Sequence, residues 1–391
     1  MGRAVVARNT VYLYGEQLIS MLLGYAFWFI LSKITTPEVI GITSSLTSLA
    51  AIFATIASIG MPIGVQRLLG NMYFESKFAD IKVIVNASII ITFIGLVGSC
   101  LFLFMARDLL FGFIDSRLLA VSLLLISSIC ISTLFRYILI ASLKTKKLFI
   151  FSMASSLVRI ILTIILIFEG ADALGVMIGY TSATILVSSL LAFTIKEFFK
   201  QYSTKPISDF NTYFRKLMSI SMVNWIPLLV NTIGSQLGTI IVFGFQGAGH
   251  AAFYFISLQI YTAVAAVIWS LESTTYPRLS SIHNDERKKF AIRLIKISLI
   301  ITLPFSYCVI FYSQDIMQLF GDRYSQGSLS LQILMMSIFP VTVLAGITTF
   351  LYSHGKYRTI LGIELVTSVP RSVLYFVLVP IYGITLSLIH I

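Results

Sequence analysis

An apolar run of about 20 residues leaves a polypeptide few options, because in lipid every backbone N–H and C=O must be paired within the chain and a helix is the simplest way to do it. This chain carries eleven such runs. Six lie in the first half, at Tyr12–Leu31, Val39–Ile59, Val83–Met105, Leu118–Leu143, Leu148–Phe168 and Leu174–Ile195. Five follow, at Leu217–Phe243, Ala251–Leu271, Ile292–Tyr312, Ser328–Tyr352 and Thr359–Val379, with a short apolar stub from Gly383 to Ile391. Only 11% of the 391 residues are charged and the mean hydropathy is +0.93, whereas soluble domains hold nearer a quarter charged. The expected fold is an all-α, polytopic transmembrane helix bundle. The first run lacks a small-residue cleavage pattern and is expected to be the first span, not a signal peptide.

The fifth run carries a second signal. Lys144, Lys146 and Lys147 precede it, and Ser152, Ser155, Ser156, Arg159 and Thr163 then recur at helical spacing as one polar stripe. An arginine at bilayer depth costs at least about 2.5 to 3.5 kcal/mol, so the stripe should face protein or water, not lipid. The pattern occurs twice. A shift of 212 residues reaches Lys356, Arg358, Glu364, Thr367, Ser368 and Arg371 without a gap, with Tyr375 in place of Thr163. Arg67-Leu68 against Arg278-Leu279, and Ser88–Thr92 against Ser298–Thr302, agree at nearly the same offset. Duplication is therefore expected: a six-helix lobe over 1–200, a cytoplasmic linker over 201–216 and a second lobe over 217–391. The plan is two six-helix repeats, with 11 complete spans and a twelfth that stops about 16 residues early, as in a truncated product.

Lysine and arginine give the orientation. With the N-terminus in the cytoplasm, the inner gaps hold 21 of the 28, the outer gaps 4, and Arg136, Arg159 and Arg371 lie within spans. The formal charge of +12 is thus spent on topology and anionic lipid, and nucleic acid is not an expected partner. Cys100, Cys130 and Cys308 lie inside apolar runs and read as buried hydrophobes, not as a metal or redox site. Pro227, Pro304, Pro340 and Pro370 fall inside spans of the second half, where kinks are expected.

Candidate site residues follow from the cost of burial. Arg159 and Arg371 are expected to meet substrate, with Arg136 nearer the cytoplasmic end of its helix. Asn224 and Asn231, at helical spacing on the seventh span with Gln236 alongside, could line a cavity or simply bond across packed helices. Glu16 and Glu364 are candidates for ion coupling or, for Glu364 above all, an ion pair with a neighbouring arginine. Arg67 and Arg278 are expected at the inner mouth. Scattered histidines, with no HExxH, P-loop or GxSxG, give no enzymatic signature, and no cofactor or metal is expected.

Several stretches carry a likeness: Arg8-Asn9-Thr10, Thr36-Pro37-Glu38-Val39-Ile40-Gly41, Gly60-Met61-Pro62-Ile63-Gly64-Val65-Gln66-Arg67, Leu303-Pro304, Leu319–Tyr324 and Val379–Ile384. In order and spacing they resemble the polysaccharide transporter (O-antigen flippase) family of the multidrug, oligosaccharidyl-lipid and polysaccharide exporter superfamily. The resemblance implies two six-helix bundles around a central cavity and alternating access. It also implies a polyprenyl-diphosphate-linked oligosaccharide as cargo, membrane lipids as surroundings and polysaccharide biosynthesis enzymes as possible partners. In that picture Arg159 and Arg371 hold the diphosphate. A multidrug exporter, a lipid II flippase and, further off, a membrane glycosyltransferase or polymerase are the alternatives.

Overall fold

The structure, a computed structural model, describes residues 3–75, 81–106, 115–200, 210–281 and 284–389. The described residues are helical and contain no strand. In chain order the helices are α1 (Arg3–Ile34), α2 (Pro37–Ser58), α3 (Met61–Glu75), α4 (Ile81–Met105), α5 (Ser116–Ala141), α6 (Thr145–Phe168) and α7 (Asp172–Phe199). After these come α8 (Phe210–Gln246), α9 (Ala248–Ser281), α10 (Asn284–Phe311), α11 (Ser313–Gln318), a 3-10 turn (Asp322–Gly327), α12 (Ser328–Met336), α13 (Ile338–Ser353) and α14 (Tyr357–Ile389). Among the described residues, eleven helical segments are long and apolar enough to cross a membrane, one for each apolar run. The chain is a multi-pass membrane protein.

Three departures from the sequence reading have local causes. The expected single span Ser328–Tyr352 is two helices that meet at Ser337. Pro340 has no N–H for the Met336 carbonyl, so the i→i−4 ladder is interrupted there, and the Ser337 N–H bonds Leu334 O at 3.1 Å instead. The stub after Val379 is not separate, since α14 runs on through Pro380. Helix α3 was not anticipated as an element of its own. It starts after a sharp turn at Ile59 and Gly60, where Gly60 takes φ +70°, and Pro62 falls in its first turn, where a missing N–H costs nothing. Of the expected linker, 201–209 lie outside the described residues and Phe210–Lys216 are already α8.

The chain divides into two compact units. Unit 1 is Met1–Leu31 with Leu46–Thr232, and unit 2 is Ser32–Ser45 with Ile233–Ile391. In unit 1, α5 packs on α3, α4 and α7, and α6 packs on α7. The core there gathers Val65, Leu69, Ile84, Leu134 and Ile138. In unit 2, α9 packs on α10, α12 and α13, and α14 packs on α12 and α13; Val242, Ala251, Tyr254, Tyr375 and Val379 form a buried cluster.

The duplication survives in backbone hydrogen bonds. Between α5 and α6, Lys144 N–H bonds Leu139 O at 2.9 Å and Leu143 N–H bonds Ile140 O at 3.1 Å. Between α13 and α14, Lys356 N–H bonds Leu351 O at 3.1 Å and Gly355 N–H bonds Tyr352 O at 3.0 Å. Each donor and acceptor in the second turn is displaced by 212 from its counterpart in the first, and residues 143 and 355 both take positive φ. This is the helix-ending turn that glycine favours.

Helix α6 sorts its residues as the stripe requires. Ile150, Met153, Leu157, Ile161, Ile165 and Phe168 are exposed, at the spacing of one apolar face turned to lipid. Ser155, Ser156 and Thr163 on the other face are buried.

Candidate functional site

In unit 1 the site is assembled on α1, α5, α6 and α7. Asn9, Glu16 and Phe27 fall at helical spacing on one face of α1, and each fixes a neighbour. Thr145, the first residue of α6, donates its hydroxyl to Asn9 O and Oδ1, both at 2.8 Å. Tyr12 packs its ring against Phe149, centroids 6.2 Å apart. These contacts set α1 and α6 side by side and parallel.

Glu16 is 2% exposed and receives both terminal nitrogens of Arg136 on α5: Nη1 donates to Oε1 at 2.7 Å and Nη2 to Oε2 at 2.6 Å. This is a fork-to-fork pair, in which carboxylate and guanidinium satisfy one another in one plane. It changes the reading of both residues. The ion pair expected at Glu364 is found at Glu16, while Glu364 is half-buried and has no ion pair among the described residues. The spacing explains it: seven residues, about 10 Å of helix, separate Glu364 from Arg371, too far for a side-chain contact.

Arg159 is placed otherwise. Its Cζ lies 4.8 Å from the centroid of Phe27 on α1 and 4.9 Å from that of Tyr180 on α7. The two rings meet edge to face, centroids 6.0 Å apart with 72° between planes. Nε is buried without a hydrogen-bond partner, and no carboxylate pairs with this residue among the described residues. The neighbouring hydroxyls do not serve it, since Ser155 and Ser156 donate to Ser152 O at 3.0 and 2.9 Å. Thr163 Oγ1 is buried and unpartnered, pressed against the backbone of Gly179.

In unit 2 the counterpart is built on α8 and α14. Gly234 lies where an added Cβ would run into Nη2 of Arg371, and Gly238 where it would run into the Tyr254 hydroxyl. Small residues four apart allow two membrane helices to approach closely, and this pair admits a guanidinium and a tyrosine ring between them. Nη2 of Arg371 donates to Ser368 Oγ at 3.4 Å. Its Nε is again buried without a partner, and again no carboxylate pairs with it among the described residues. One turn on, the buried Tyr375 and Tyr254 share a hydroxyl–hydroxyl bond of 2.8 Å.

The remaining candidates are dispersed. Asn224 turns its amide back to Ile220 O at 2.7 Å, the ordinary self-bonding of a polar residue in a membrane helix. Asn231 is exposed; Gln236, in unit 2, is half-buried. Arg67 is exposed, and the Arg278 side chain lies outside the described residues. One acid escaped the sequence reading. Glu272, just past the run Ala251–Leu271, has Oε1 buried without a hydrogen-bond partner, beside Thr349 of α13. A carboxylate one residue beyond an apolar run reads as a loop charge. The signal that α9 continues past Leu271 was the absence of any glycine or proline between that residue and Pro277.

Comparison with known proteins places this arrangement. A family model described as "Polysaccharide biosynthesis protein" matches residues 6–283. Among solved structures, an inward-facing multidrug resistance MATE family transporter of the MOP superfamily superposes with a TM-score of 0.76 at 15% identity, covering 98% of this chain and 93% of its own. The lipid II flippase MurJ, in an inward closed conformation, gives 0.72 at 15%, covering 97% and 84%. A MOP superfamily transporter from Pyrococcus furiosus, described as having a binding pocket of reversed polarity, gives 0.69 at 14%, covering 99% and 90%. At these identities the likeness is one of fold. No curated protein matches the chain.

Proposed function

The chain belongs to the polysaccharide biosynthesis protein family, and we propose that it is a flippase that carries polyprenyl-diphosphate-linked oligosaccharides across the cytoplasmic membrane by alternating access. One observation carries the reading. Each unit keeps an arginine at a duplicated position within a span, its Nε buried and unpartnered and its charge unmatched by any carboxylate among the described residues. Such a charge at bilayer depth is costly unless something anionic visits it. Guanidinium suits a diphosphate because it stays charged and presents a planar fork of donors.

The multidrug alternative wants a free acid for a cationic ligand. The acid of α1, Glu16, is held by both arms of Arg136, whereas Glu364 and Glu272 carry no ion pair among the described residues, so the preference for an anionic cargo rests on the two arginines. Lipid II shares the diphosphate chemistry and differs in its sugar. No enzymatic role is needed: the chain moves the headgroup and makes no bond. The N-terminus is cytoplasmic in this reading, and the lobes act as the repeats 1–200 and 217–391.

The test is headgroup translocation in vesicles containing the purified chain, with a labelled polyprenyl-diphosphate oligosaccharide, lipid II and a cationic dye as separate cargoes. The wild type is expected to move the first, and the Arg159→Ala, Arg371→Ala double variant to insert normally and move none. Undiminished flipping by the double variant would overturn the assignment, as would transport of the dye alone. Product formed only on addition of a sugar donor would show synthesis in place of transport.

A further inference from the structure

Arg136 and Arg159 lie in the same unit, yet they are held by opposite means. The carboxylate of Glu16 consumes both terminal nitrogens of Arg136. Around Arg159 the supports are rings, which attract a cation through their quadrupole and accept no strong hydrogen bond. Cζ is almost equidistant from the two centroids, at 4.8 and 4.9 Å, and the centroids are only 6.0 Å apart. The rings therefore occupy two adjacent sides of the guanidinium, as a corner, and do not sandwich it. Gly24 of α1 comes no closer than ordinary contact, since an added Cβ would stand 4.0 Å from Nη2. Phe27 is locked in place, buried and with its ring 5.1 Å from that of Trp28.

We infer that Phe27 and Tyr180 are the positioning residues of an anion site at Arg159: they hold the guanidinium by its positive charge and leave the terminal N–H donors free for phosphate oxygens. The inference rests on the reading of the cargo as a polyprenyl diphosphate and adds to it how this arginine is kept both charged and available. A carboxylate support would fix the side chain equally well and would also neutralise it. An aromatic corner fixes it without neutralisation, which is what a site that must bind and release an anion requires. It also discriminates between cations. Lysine has neither the planar fork nor the delocalised charge that rests against a ring.

Binding of farnesyl diphosphate to the purified full chain in detergent tests this, with farnesyl monophosphate, farnesol and inorganic pyrophosphate as comparison probes. The wild type is expected to prefer the diphosphate, Arg159→Ala to lose that preference, and Phe27→Leu and Tyr180→Leu each to weaken diphosphate binding about fivefold. Farnesol binding should not change in the leucine variants. Tyr180→Phe keeps the ring and should bind as the wild type does. Phenylalanines carrying increasing numbers of fluorine atoms at position 180 keep the shape and drain the quadrupole, and binding should weaken stepwise with fluorine count. Wild-type affinity throughout the leucine and fluorinated series, with Arg159→Ala still defective, would overturn the role of the rings and leave the cargo reading standing. Failure of the wild type to distinguish farnesyl diphosphate from farnesol would overturn both.

Discussion

In unit 1 the duplicated arginine rests in a corner of two aromatic rings; in unit 2 its counterpart lies against a glycine and a serine. The backbone turn that launches each helix is the same in both, bond for bond at Lys144 and Lys356, so the difference does not come from the repeat's framework. It comes from the helix opposite. Gly24 of α1 and Gly234 of α8 each stand beside Nη2 of their arginine, but a Cβ added at Gly24 would stand 4.0 Å from it, whereas one added at Gly234 would run into it. Two glycines let α8 come close enough for Ser368 and Arg371 to lie against its backbone. At the same level α1 stays further off and meets Arg159 of α6 through a ring, Phe27. A charge kept in both units while its packing diverged is better explained by something the charge does than by something it braces.

The largest effect should come from the third intramembrane arginine, which is a brace. Arg136→Ala strands the Glu16 carboxylate in the protein interior and is expected to cost about 3 to 5 kcal/mol, read as a fall in the unfolding midpoint in detergent. Joint replacement of Glu16 and Arg136 by leucines should recover most of it. Arg159→Ala and Arg371→Ala leave no such orphan and should cost distinctly less. A penalty at Arg371 equal to that at Arg136 would mean that the two units hold their arginines for the same reason, and the contrast would collapse.

Next in size is the glycine that makes room. Gly234→Ala sets a methyl group on Nη2 of Arg371, and overpacking of this kind costs about 1 to 3 kcal/mol. The counterpart substitution, Gly24→Ala, meets Nη2 of Arg159 only at an ordinary contact of 4.0 Å and should stay within about 0.5 kcal/mol. Thermal unfolding of the pair, with flipping measured alongside, separates close approach in unit 2 from its absence in unit 1.

Much of this contrast was out of reach of the sequence. The apolar runs and the offset were legible because length and repetition need no third dimension. The cationic turns before α6 and α14 were legible for the same reason. Phe27 and Tyr180 were not, since an aromatic residue within an apolar run looks alike whether it faces lipid or a guanidinium. The Glu16–Arg136 pair joins residues 120 apart, with no periodicity to announce it. Glu364 drew attention because it shares a face with Arg371, yet a shared face two turns away is not a contact. The polar stripe of α6 promised a wet wall, but two of its serines bond their own backbone, a choice that spacing cannot reveal.

The smallest effects fall at the position where the repeats differ in residue type. Tyr375→Phe removes one partner of a buried 2.8 Å hydroxyl pair and leaves Tyr254 unsatisfied, which should cost about 1 kcal/mol or somewhat more. Its counterpart, Thr163, has a buried hydroxyl with no partner and Gly179 pressed against it. Thr163→Val removes a polar atom that makes no bond in the folded chain, and a methyl group takes its place with little change in shape. The expected outcome is therefore a gain of about 0.5 kcal/mol, with flipping unchanged, because the asymmetry of buried hydrogen bonding favours deleting an orphan over keeping it. A loss at Thr163→Val as large as that at Tyr375→Phe would mean that its hydroxyl is bonded during the cycle. Position 163 would then join Arg159 as part of the working surface of unit 1.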